Sequence, residues 1–553
     1  MTTTTAGLLQ LAFYICLIAA AHVPLGAYMA RIAQGEKHTR VERLLYRFTG
    51  VDAGTEQNWR HYARSVLGFS LAGLLLLYLL LRIQRWLPLT FGRENFPADG
   101  AFNTAVSFVT NTNWQWYSGE AAIGHLPQML GLTVQNFVSG AVGISVAFAL
   151  VRGFARMGTD KLGNFWVDVT RVSLRLLLPL AIVVATIFVC EGVIQSFAAG
   201  HQVTTLTGAQ QDIPLGPIAS QEAIKQLGTN GGGFFNANGA HPFENATALT
   251  NILAIWAMTV IPFSLPFTFG RMVRDRRQGF AILAVMATLQ LASFGLAVAA
   301  ELAHKGTALM AAGGSMEGKE QRFGIWGTVL YGTTGTGTST GAVNSMHDSW
   351  TAAGGGILML NMLLGEVSPG GVGTGLYGLL VIALLTVFIS GLMVGRTPEY
   401  LGKRLGRAEM TSVALYILVM PMAMLFGAAI TLMLPGGQAT LQDAGPHGLS
   451  EILYAYTSGA NNNGSAFAGF NAASPLHTVG IGLAMLFGRF LPIVFALKLA
   501  GSLAQQQRVP ATAGTLPTHG PLFITLCLGI VLIVAALTFF PALALGPIAE
   551  ALL

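Results

Sequence analysis

Four polar loops in this sequence carry neutral oxygen donors between strongly apolar stretches. They lie within residues 103–115, 220–235, 325–349 and 449–467, each after a short half-apolar run that predicts a helix. The loops align on Thr112, Gly231, Gly341 and Gly464. In that register the candidate ligand residues are Thr110, Asn111, Thr112, Asn113, Thr229, Asn230, Gly231, Gly232, Ser339, Thr340, Gly341, Ala342, Asn462, Asn463 and Gly464, with Ser465 next in the fourth loop.

These residue types suit the binding of a dehydrated monovalent cation. Carbonyl and hydroxyl oxygens around one axis replace the water shell of K⁺, whereas Ca²⁺ and Mg²⁺ sites use carboxylates. Pointing successive carbonyls at an axis requires positive φ at some residues, which glycine adopts without cost and Asn tolerates. The sequence therefore predicts an asymmetric K⁺ filter in which the first loop has Thr112 where the other three have glycine. The alternative is four extracellular loops that are polar because they are wet.

Apolar segments must position these loops. The chain has 553 residues, of which 53% are hydrophobic and only 10% charged, against about 25% charged in a soluble domain. Ten segments long enough to span a bilayer are predicted at 8–31, 64–83, 130–151, 173–197, 250–271, 280–302, 355–395, 412–434, 476–500 and 521–547. Irregular backbone at membrane depth is tolerated only where protein buries it or it lines a watery cavity.

The basic residues indicate how the chain crosses the membrane. Of the 30 Lys and Arg, 22 lie on one side of the predicted spans and seven, including Lys305, on the other. The positive-inside rule then places the 31–64 loop in the cytoplasm and both termini outside. Because this topology accounts for the net charge of +6, we expect a lipid bilayer rather than a nucleic acid as the surrounding partner.

Several motifs carry a resemblance to a known family. The motifs that carry this resemblance are VTNTNWQ, LGTNGGGFFNANGAHPFENAT, GAVNSMHDS, GEVSPGGVGTGLYG, GRTPEYLGK and NNNGSAFAGF. Over essentially the whole chain, the sequence resembles the potassium-binding A subunits of Kdp potassium-transporting ATPases. The resemblance implies an all-α polytopic membrane protein with ten transmembrane helices. Four M1–P–M2 pore repeats with pseudo-fourfold symmetry, as in the Trk, Ktr and HKT transporters, are flanked by one extra helix at each end.

The predicted division of the chain follows this plan. Residues 1–60 hold the first helix and a cytoplasmic loop, and 509–553 hold the last helix. The four pore repeats occupy 61–160, 161–278, 279–408 and 409–508, the third with a broken M2 helix.

The resemblance also implies a function. The chain would be the K⁺-selective, channel-like subunit of an ATP-driven uptake pump in the bacterial inner membrane. It would pass K⁺ from outside to a P-type ATPase B subunit, with small C and F subunits completing the complex. We expect no nucleotide on this chain, which contains no GxxxxGK[ST] motif. The alternatives are a stand-alone Trk-, Ktr- or HKT-like K⁺ or Na⁺ transporter and a membrane-embedded hydrolase.

Three charged residues are candidates for a gate or barrier. GEVSPGGVGTGLYG at 365–378 breaks the seventh span, because Pro and clustered Gly disfavour a continuous helix. Glu366 in this break is a functional candidate as a carboxylate at membrane depth, unless the break is an exposed turn. By resemblance, Arg489 and Arg396 form a positive barrier that stops K⁺ from crossing straight into the cytoplasm and diverts it through a tunnel to the partner subunit. For Arg396, a snorkelling anchor at the cytoplasmic surface is an equal alternative.

The remaining candidates lie next to the filter loops. Gln115 is expected to support the first loop through its amide, the alternative being an ordinary outer-loop hydrogen bond. Asp348 is expected to attract cations at the pore mouth. His347, Asp348 and Ser349 form the only hint of nucleophilic catalysis, but neighbours in sequence rarely converge into a triad.

Overall fold

The computed structural model describes residues 2–303, 314–510 and 515–553; Lys305 lies outside them. This part of the chain is mostly helical. It contains ten helices long and apolar enough to cross a membrane, which confirms the predicted number. They are Thr3–Gln34, Trp59–Arg82, Pro127–Ala155, Phe165–Cys190, Ala248–Met272, Arg276–Ala303, Thr374–Met393, Arg407–Met433, Pro475–Gln505 and Pro521–Leu552.

Four shorter helices, called the pore helices below, lie between successive spans. They are Ala98–Val109, Ile218–Leu227, Gly324–Gly337 and Gly445–Asn461. Each ends directly at one of the four polar loops. The order of span, pore helix, polar loop and span thus occurs four times, and the fold is the predicted all-α membrane architecture with one further helix at each end. The residue ranges assigned to the repeats stay a prediction.

The seventh span is broken, as the sequence predicts. One helix covers Ala352–Leu363, and the chain becomes helical again over Thr374–Met393. The intervening residues 364–373, called the break below, include Gly365, Gly370 and Gly373 with positive φ. A side chain at Gly373 would also place its Cβ 2.0 Å from the carbonyl oxygen of Gly143, so the break passes directly against the third span.

The connecting segments hold small elements that the apolar pattern did not predict. Three antiparallel strand pairs are Gln57–Asn58 with Lys161–Gly163, Gly200–Thr204 with Gln210–Pro214, and Glu399–Tyr400 with Lys403–Arg404. Short helices are Arg40–Thr49, Gln84–Trp86, Gly119–Ala122, Asn238–Ala240, His347–Ser349 and Pro435–Gln438. π-helical turns occur within three spans, at Pro127–Thr133, Val172–Leu177 and Ala544–Ile548.

The spans differ greatly in burial, which separates the core from the lipid-facing helices. In their most apolar stretches, 89% of the residues of the third and fifth spans are buried, against 6% in the first span. The first span packs along the fifth, and the ninth packs against the third, the eighth and the first pore helix. The polar loops are therefore enclosed by protein, which is the condition for irregular backbone at membrane depth.

A buried ion pair joins the end of the third span to the start of the fourth. The Arg152 guanidinium donates to both carboxylate oxygens of Asp168 at 2.5 and 2.8 Å, and to the backbone carbonyl of Ala33 at 2.7 Å. Asp168 also accepts a hydrogen bond from the Tyr62 hydroxyl at 2.9 Å. Both charged side chains are at most 9% exposed, so each depends on the other for its hydrogen bonds.

Replacing Arg152 with Met should therefore destabilise the protein strongly, because Asp168 would remain buried without its counter-charge. Removing one partner of a buried pair costs about 3–5 kcal/mol. Arg156→Met is the matched control, since Arg156 pairs with Glu56 where the two side chains are 30% and 46% exposed, and exposed pairs contribute about 0–1 kcal/mol. The measurement is the thermal midpoint of the detergent-solubilised protein by tryptophan fluorescence. Equal midpoints for the two variants would contradict the role of this pair.

Candidate functional site: four loops around one axis

The four polar loops share one backbone hydrogen bond that fixes their mutual register. In each loop an amide donates to the carbonyl five residues earlier, inside the pore helix. The four pairs are Thr112 to Ser107 at 2.9 Å, Asn230 to Lys225 at 3.0 Å, Thr340 to Gly335 at 2.9 Å and Asn463 to Ser458 at 2.9 Å. The residues that donate this hydrogen bond occupy equivalent positions in the four loops. They are Thr112, Asn230, Thr340 and Asn463.

This equivalence corrects the register of the first loop by one residue. The predicted alignment of Thr112 with the three glycines is wrong, and Asn113 occupies the glycine position. Matching side chains support the shift: the hydroxyls of Thr110 and Thr112 are 2.8 Å apart, and so are those of Thr338 and Thr340. The Thr-x-Thr pattern common to the first and third loops was the sequence signal for this register.

The corrected register also aligns the residues with left-handed backbone. The residue before the shared hydrogen-bond donor has positive φ in every loop. These residues are Asn111 at 71°, Thr229 at 48°, Ser339 at 59° and Asn462 at 62°. Asn tolerates this conformation, but it is a genuine outlier for a β-branched residue such as Thr229. Strain of this kind persists only where the surrounding structure imposes it, and it concentrates at functional sites.

The glycines of the other three loops are required by close approach of the loops to one another. A Cβ added to Gly231 would lie 2.5 Å from the Cα of Gly341, and one added to Gly341 would lie 2.5 Å from the Cα of Gly464. One on Gly464 would lie 2.0 Å from the carbonyl oxygen of Thr112. The four loops therefore meet around one axis. In the first loop Asn113 has φ of 58°. Its side-chain amide nitrogen donates a hydrogen bond to the side-chain oxygen of Asn136 in the third span.

Side-chain hydrogen bonds connect neighbouring loops. Asn111 of the first loop donates to the Thr229 carbonyl of the second at 2.9 Å. Ser339 of the third donates to the Asn462 carbonyl of the fourth at 3.0 Å. Asn462 in turn donates to the Thr112 hydroxyl of the first at 3.0 Å. These bonds are between different residue types at each contact, so the ring of loops is asymmetric, as the sequence predicts.

Several backbone carbonyls of the loops have no hydrogen-bond donor within the described residues, and four of them lie at structurally equivalent positions. The oxygens of Thr112, Asn230, Thr340 and Asn463 accept no hydrogen bond within the described residues. All four residues are fully buried. A buried carbonyl normally has a partner, because leaving it unpaired costs about as much as a lost hydrogen bond. Four such oxygens at equivalent positions form a ring suited to a cation, and the partly negative C-terminal ends of the pore helices favour positive charge there.

Gln115 connects the first loop to the second. Its amide nitrogen donates to the Gly233 carbonyl at 3.2 Å, and its amide oxygen accepts from the Gly233 amide at 3.0 Å. The side chain thus satisfies both backbone groups of one residue in the neighbouring loop. This geometry is the one expected of a supporting residue, and it involves more than a single outer-loop hydrogen bond.

The break in the seventh span lies directly against the polar loops. The Val372 amide donates to the Thr229 hydroxyl at 3.0 Å, and the Gly370 amide donates to the carbonyl of Gly337, the last residue of the third pore helix, at 2.8 Å. Glu366 in the break accepts a hydrogen bond from the Asn463 side chain at 2.8 Å and is 4% exposed. The break is therefore not an exposed turn.

Glu366 and Arg489 line the same cavity, which has a volume of about 110 Å³ and lies between the break, the fourth loop and the ninth span. Arg489 is 4% exposed, and its guanidinium lies 3.5 Å from the Ser139 carbonyl oxygen. Arg396 does not join them: it is exposed on the turn after the seventh span and does not line this cavity. Its position agrees with the alternative of a surface anchor rather than with the predicted barrier.

His347 and Asp348 contact different partners, which removes the geometric basis for a hydrolase. The His347 Nδ1 lies 3.0 Å from the Tyr454 hydroxyl. Asp348 instead lies 3.1 Å from the Nε2 of His447, a residue that belongs to none of the sequence motifs. Hydrogen bonds to Asp348 and Glu550 raise the pKa of His447 to about 10. Asp348 is therefore a paired carboxylate rather than a free one at the pore mouth.

Comparison with known proteins places the chain in a family. The family model described as "Potassium-transporting ATPase A subunit" matches residues 12–552. The chain belongs to this family. Its relatives include the "Potassium-transporting ATPase potassium-binding subunit" of Clavibacter michiganensis subsp. michiganensis, 58% identical over 99% of each chain. The subunit of the same name from Mycolicibacterium smegmatis is 56% identical over the full length of both chains.

A solved structure shares the fold of this family member. The chain is similar to the crystal structure of the potassium transporter TrkH from Vibrio parahaemolyticus, with a TM-score of 0.53 and 15% sequence identity. The match covers 89% of this chain and 96% of that one. At this identity the likeness establishes the fold alone.

The close approach of the loops makes a direct prediction for this member of the A subunit family. Gly341→Ala adds a methyl group 2.5 Å from the Cα of Gly464, so one loop must move away from the axis. We expect K⁺ affinity to fall about tenfold or more, which corresponds to roughly 1.4 kcal/mol. Gly295→Ala is the control, since nothing lies within 4 Å of the added methyl there. K⁺ titration of transport measures both, and unchanged affinity in Gly341→Ala would contradict the described closure.

Proposed function

We propose that this chain is the K⁺-binding, channel-like subunit of an ATP-driven potassium uptake pump. It is a transport subunit rather than the one that hydrolyses ATP. The observation that carries the proposal is the ring of four buried carbonyl oxygens without donors, one from each loop. Neutral oxygens held by protein replace the hydration shell of K⁺ at lower cost than that of a smaller or divalent cation. The names of the relatives, which describe a potassium-binding subunit, agree with this role.

In this proposal the filter residues act mainly through their backbone. The side chains of Asn111, Ser339 and Asn462 are already used to connect the loops. They hold the backbone in its left-handed conformation and leave the carbonyls of the next residue in each loop to coordinate the ion. Gln115 fixes the first and second loops relative to each other.

Below the filter, Glu366 and Arg489 control the onward path. Glu366 is a carboxylate hydrogen-bonded to the fourth loop, so an ion leaving the filter meets it first. Arg489 in the same cavity places a positive charge across the straight route to the cytoplasm. K⁺ then has to leave sideways, toward a partner subunit.

The partners follow from the same proposal. An ATPase subunit of the Kdp B type receives K⁺ from this chain and supplies the energy, and C and F subunits complete the complex. The complex lies in the bacterial inner membrane, with the filter and both termini of this chain facing outward. The competing function is a stand-alone transporter driven by the electrochemical gradient, which the TrkH-like fold allows.

Uptake of radioactive rubidium into cells that lack other K⁺ uptake systems separates these functions. We expect ATP-dependent uptake only when this chain is produced together with its B, C and F partners. Gradient-driven uptake by this chain alone, of the same rate with and without the partners, would overturn the proposal in favour of the stand-alone transporter.

Selectivity provides a second test. Gly231→Asp adds a carboxylate and a Cβ at a position where the Gly341 backbone leaves no room. We therefore expect the K⁺ affinity to fall about tenfold or more. Discrimination against Rb⁺ and Na⁺ should also become poorer. Gly436→Asp is the matched control, because Gly436 is exposed on the short helix Pro435–Gln438 and has nothing within 4 Å of an added Cβ. A Gly231→Asp variant with the affinity of the wild type would count against this filter.

The barrier makes a prediction about leakage. Arg489→Ala removes the positive charge from the cavity below the filter, so we expect passive rubidium flux into vesicles without ATP. Arg396→Ala, which changes an exposed arginine outside the cavity, should leave the vesicles tight. The same low flux in both variants would show that Arg489 does not block the straight path.

A further inference from the structure

A cluster of four potential metal ligands lies outside the filter. The cluster consists of Asp348, Asp443, His447 and Glu451. Each residue offers one ligand atom, and these four atoms all lie within 4.8 Å of one another. Asp348 follows the third filter loop, and Asp443 precedes the fourth pore helix. His447 and Glu451 are four residues apart on that helix, so their side chains share one face.

The histidine is oriented as metal-binding histidines are. The His447 Nδ1 lies 2.9 Å from a carboxylate oxygen of Glu550, near the end of the chain. The Phe467 ring stacks parallel to the imidazole at 5.8 Å between centroids. A carboxylate that accepts the Nδ1 proton fixes the tautomer and leaves Nε2 to bind a metal ion. Nε2 faces the cluster, 3.1 Å from Asp348 and 4.0 Å from Asp443.

Glu451 supplies a second, independent observation at this cluster. Its side chain is fully buried, and one carboxylate oxygen accepts a hydrogen bond from the Gln442 amide at 3.1 Å. The other oxygen, Oε1, has no partner within the described residues. Buried carboxylate oxygens normally have a donor or a cation, because burying a charged group without one is costly. The three carboxylates of the cluster outnumber its one imidazole, so a further cation is the group that satisfies this oxygen.

We propose that Asp348, Asp443, His447 and Glu451 bind one divalent transition-metal ion of the zinc type. Zinc takes four nitrogen and oxygen ligands at about 2.0–2.1 Å, and imidazole favours it over Ca²⁺ and Mg²⁺. Ligand atoms around zinc then stand roughly 3.3 Å apart, close to the 3.1 Å between Nε2 and Asp348. Asp443 has to approach, and its side chain is 47% exposed and free to do so.

The bound metal would link three parts of the outer face. It joins the segment after the third filter loop to the start of the fourth pore helix, and through Glu550 it reaches the short helix Ala549–Leu552. This site lies apart from the ring of carbonyls and does not depend on which ion passes through the filter.

The test uses the full-length chain, purified in detergent with any affinity tag removed and stripped with a chelator. Calorimetric titration with ZnCl₂ and metal analysis after gel filtration should give one zinc per chain, and Co²⁺ should give the visible absorption of a tetrahedral site. Asp443→Asn and His447→Gln should lose this binding, and Glu550→Gln should weaken it about tenfold. His201→Ala is the matched control, since His201 is exposed on the outer strand pair.

Asp443→Asn keeps the test decisive if the more buried variants do not fold, because Asp443 is half exposed. Binding of zinc by the wild type and by His201→Ala, but not by Asp443→Asn, supports the site. No stoichiometric zinc on the wild type, or equal binding by the wild type and Asp443→Asn, would overturn it. Competition by Ca²⁺ at equal concentration would also contradict a zinc-type site.

Discussion

The structure depends on one constraint: a backbone carbonyl buried inside a membrane protein must be satisfied by something other than water. The pore helices end at depth, and their following loops cannot form a sheet. Each loop therefore anchors one amide to its helix and leaves the adjacent carbonyl of Thr112, Asn230, Thr340 or Asn463 unpaired. In the proposed function, a dehydrated cation is the partner that satisfies all four at once. Surrounding helices exist to exclude lipid and water from that ring.

Because the four repeats belong to one chain, each loop can have different residues at the equivalent positions. The third and fourth loops meet through glycines that leave no space for a Cβ. The first loop has Asn113 at the equivalent position, and its side chain is hydrogen-bonded to Asn136 of the third span. At the residue before the shared hydrogen-bond donor, left-handed backbone falls on Asn, Thr, Ser and Asn, and Gly232 and Gly464 have positive φ as well. The aligned glycines permit the close approach of the loops, and the polar residues hold their conformation through hydrogen bonds between loops.

Hydropathy and residue type predicted the spans, the pore helices, the break and the participating loops, because each has a strong local signal. The register of the first loop was wrong by one residue, since aligning residue types ignores which amide binds the helix. The sequence left a surface anchor as an equal alternative for Arg396, and tertiary packing places Arg396 at the surface and Arg489 in the cavity. The cluster around His447 was missed because its members come from three separate segments.

The most direct measurement is a structure of the complex in Rb⁺ or Tl⁺, with the anomalous signal locating the bound ion. We expect density on the axis of the four loops, within coordination distance of the carbonyl oxygens of Thr112, Asn230, Thr340 and Asn463. Ion density elsewhere in the chain, with these four oxygens instead bonded to protein or to nothing, would contradict it.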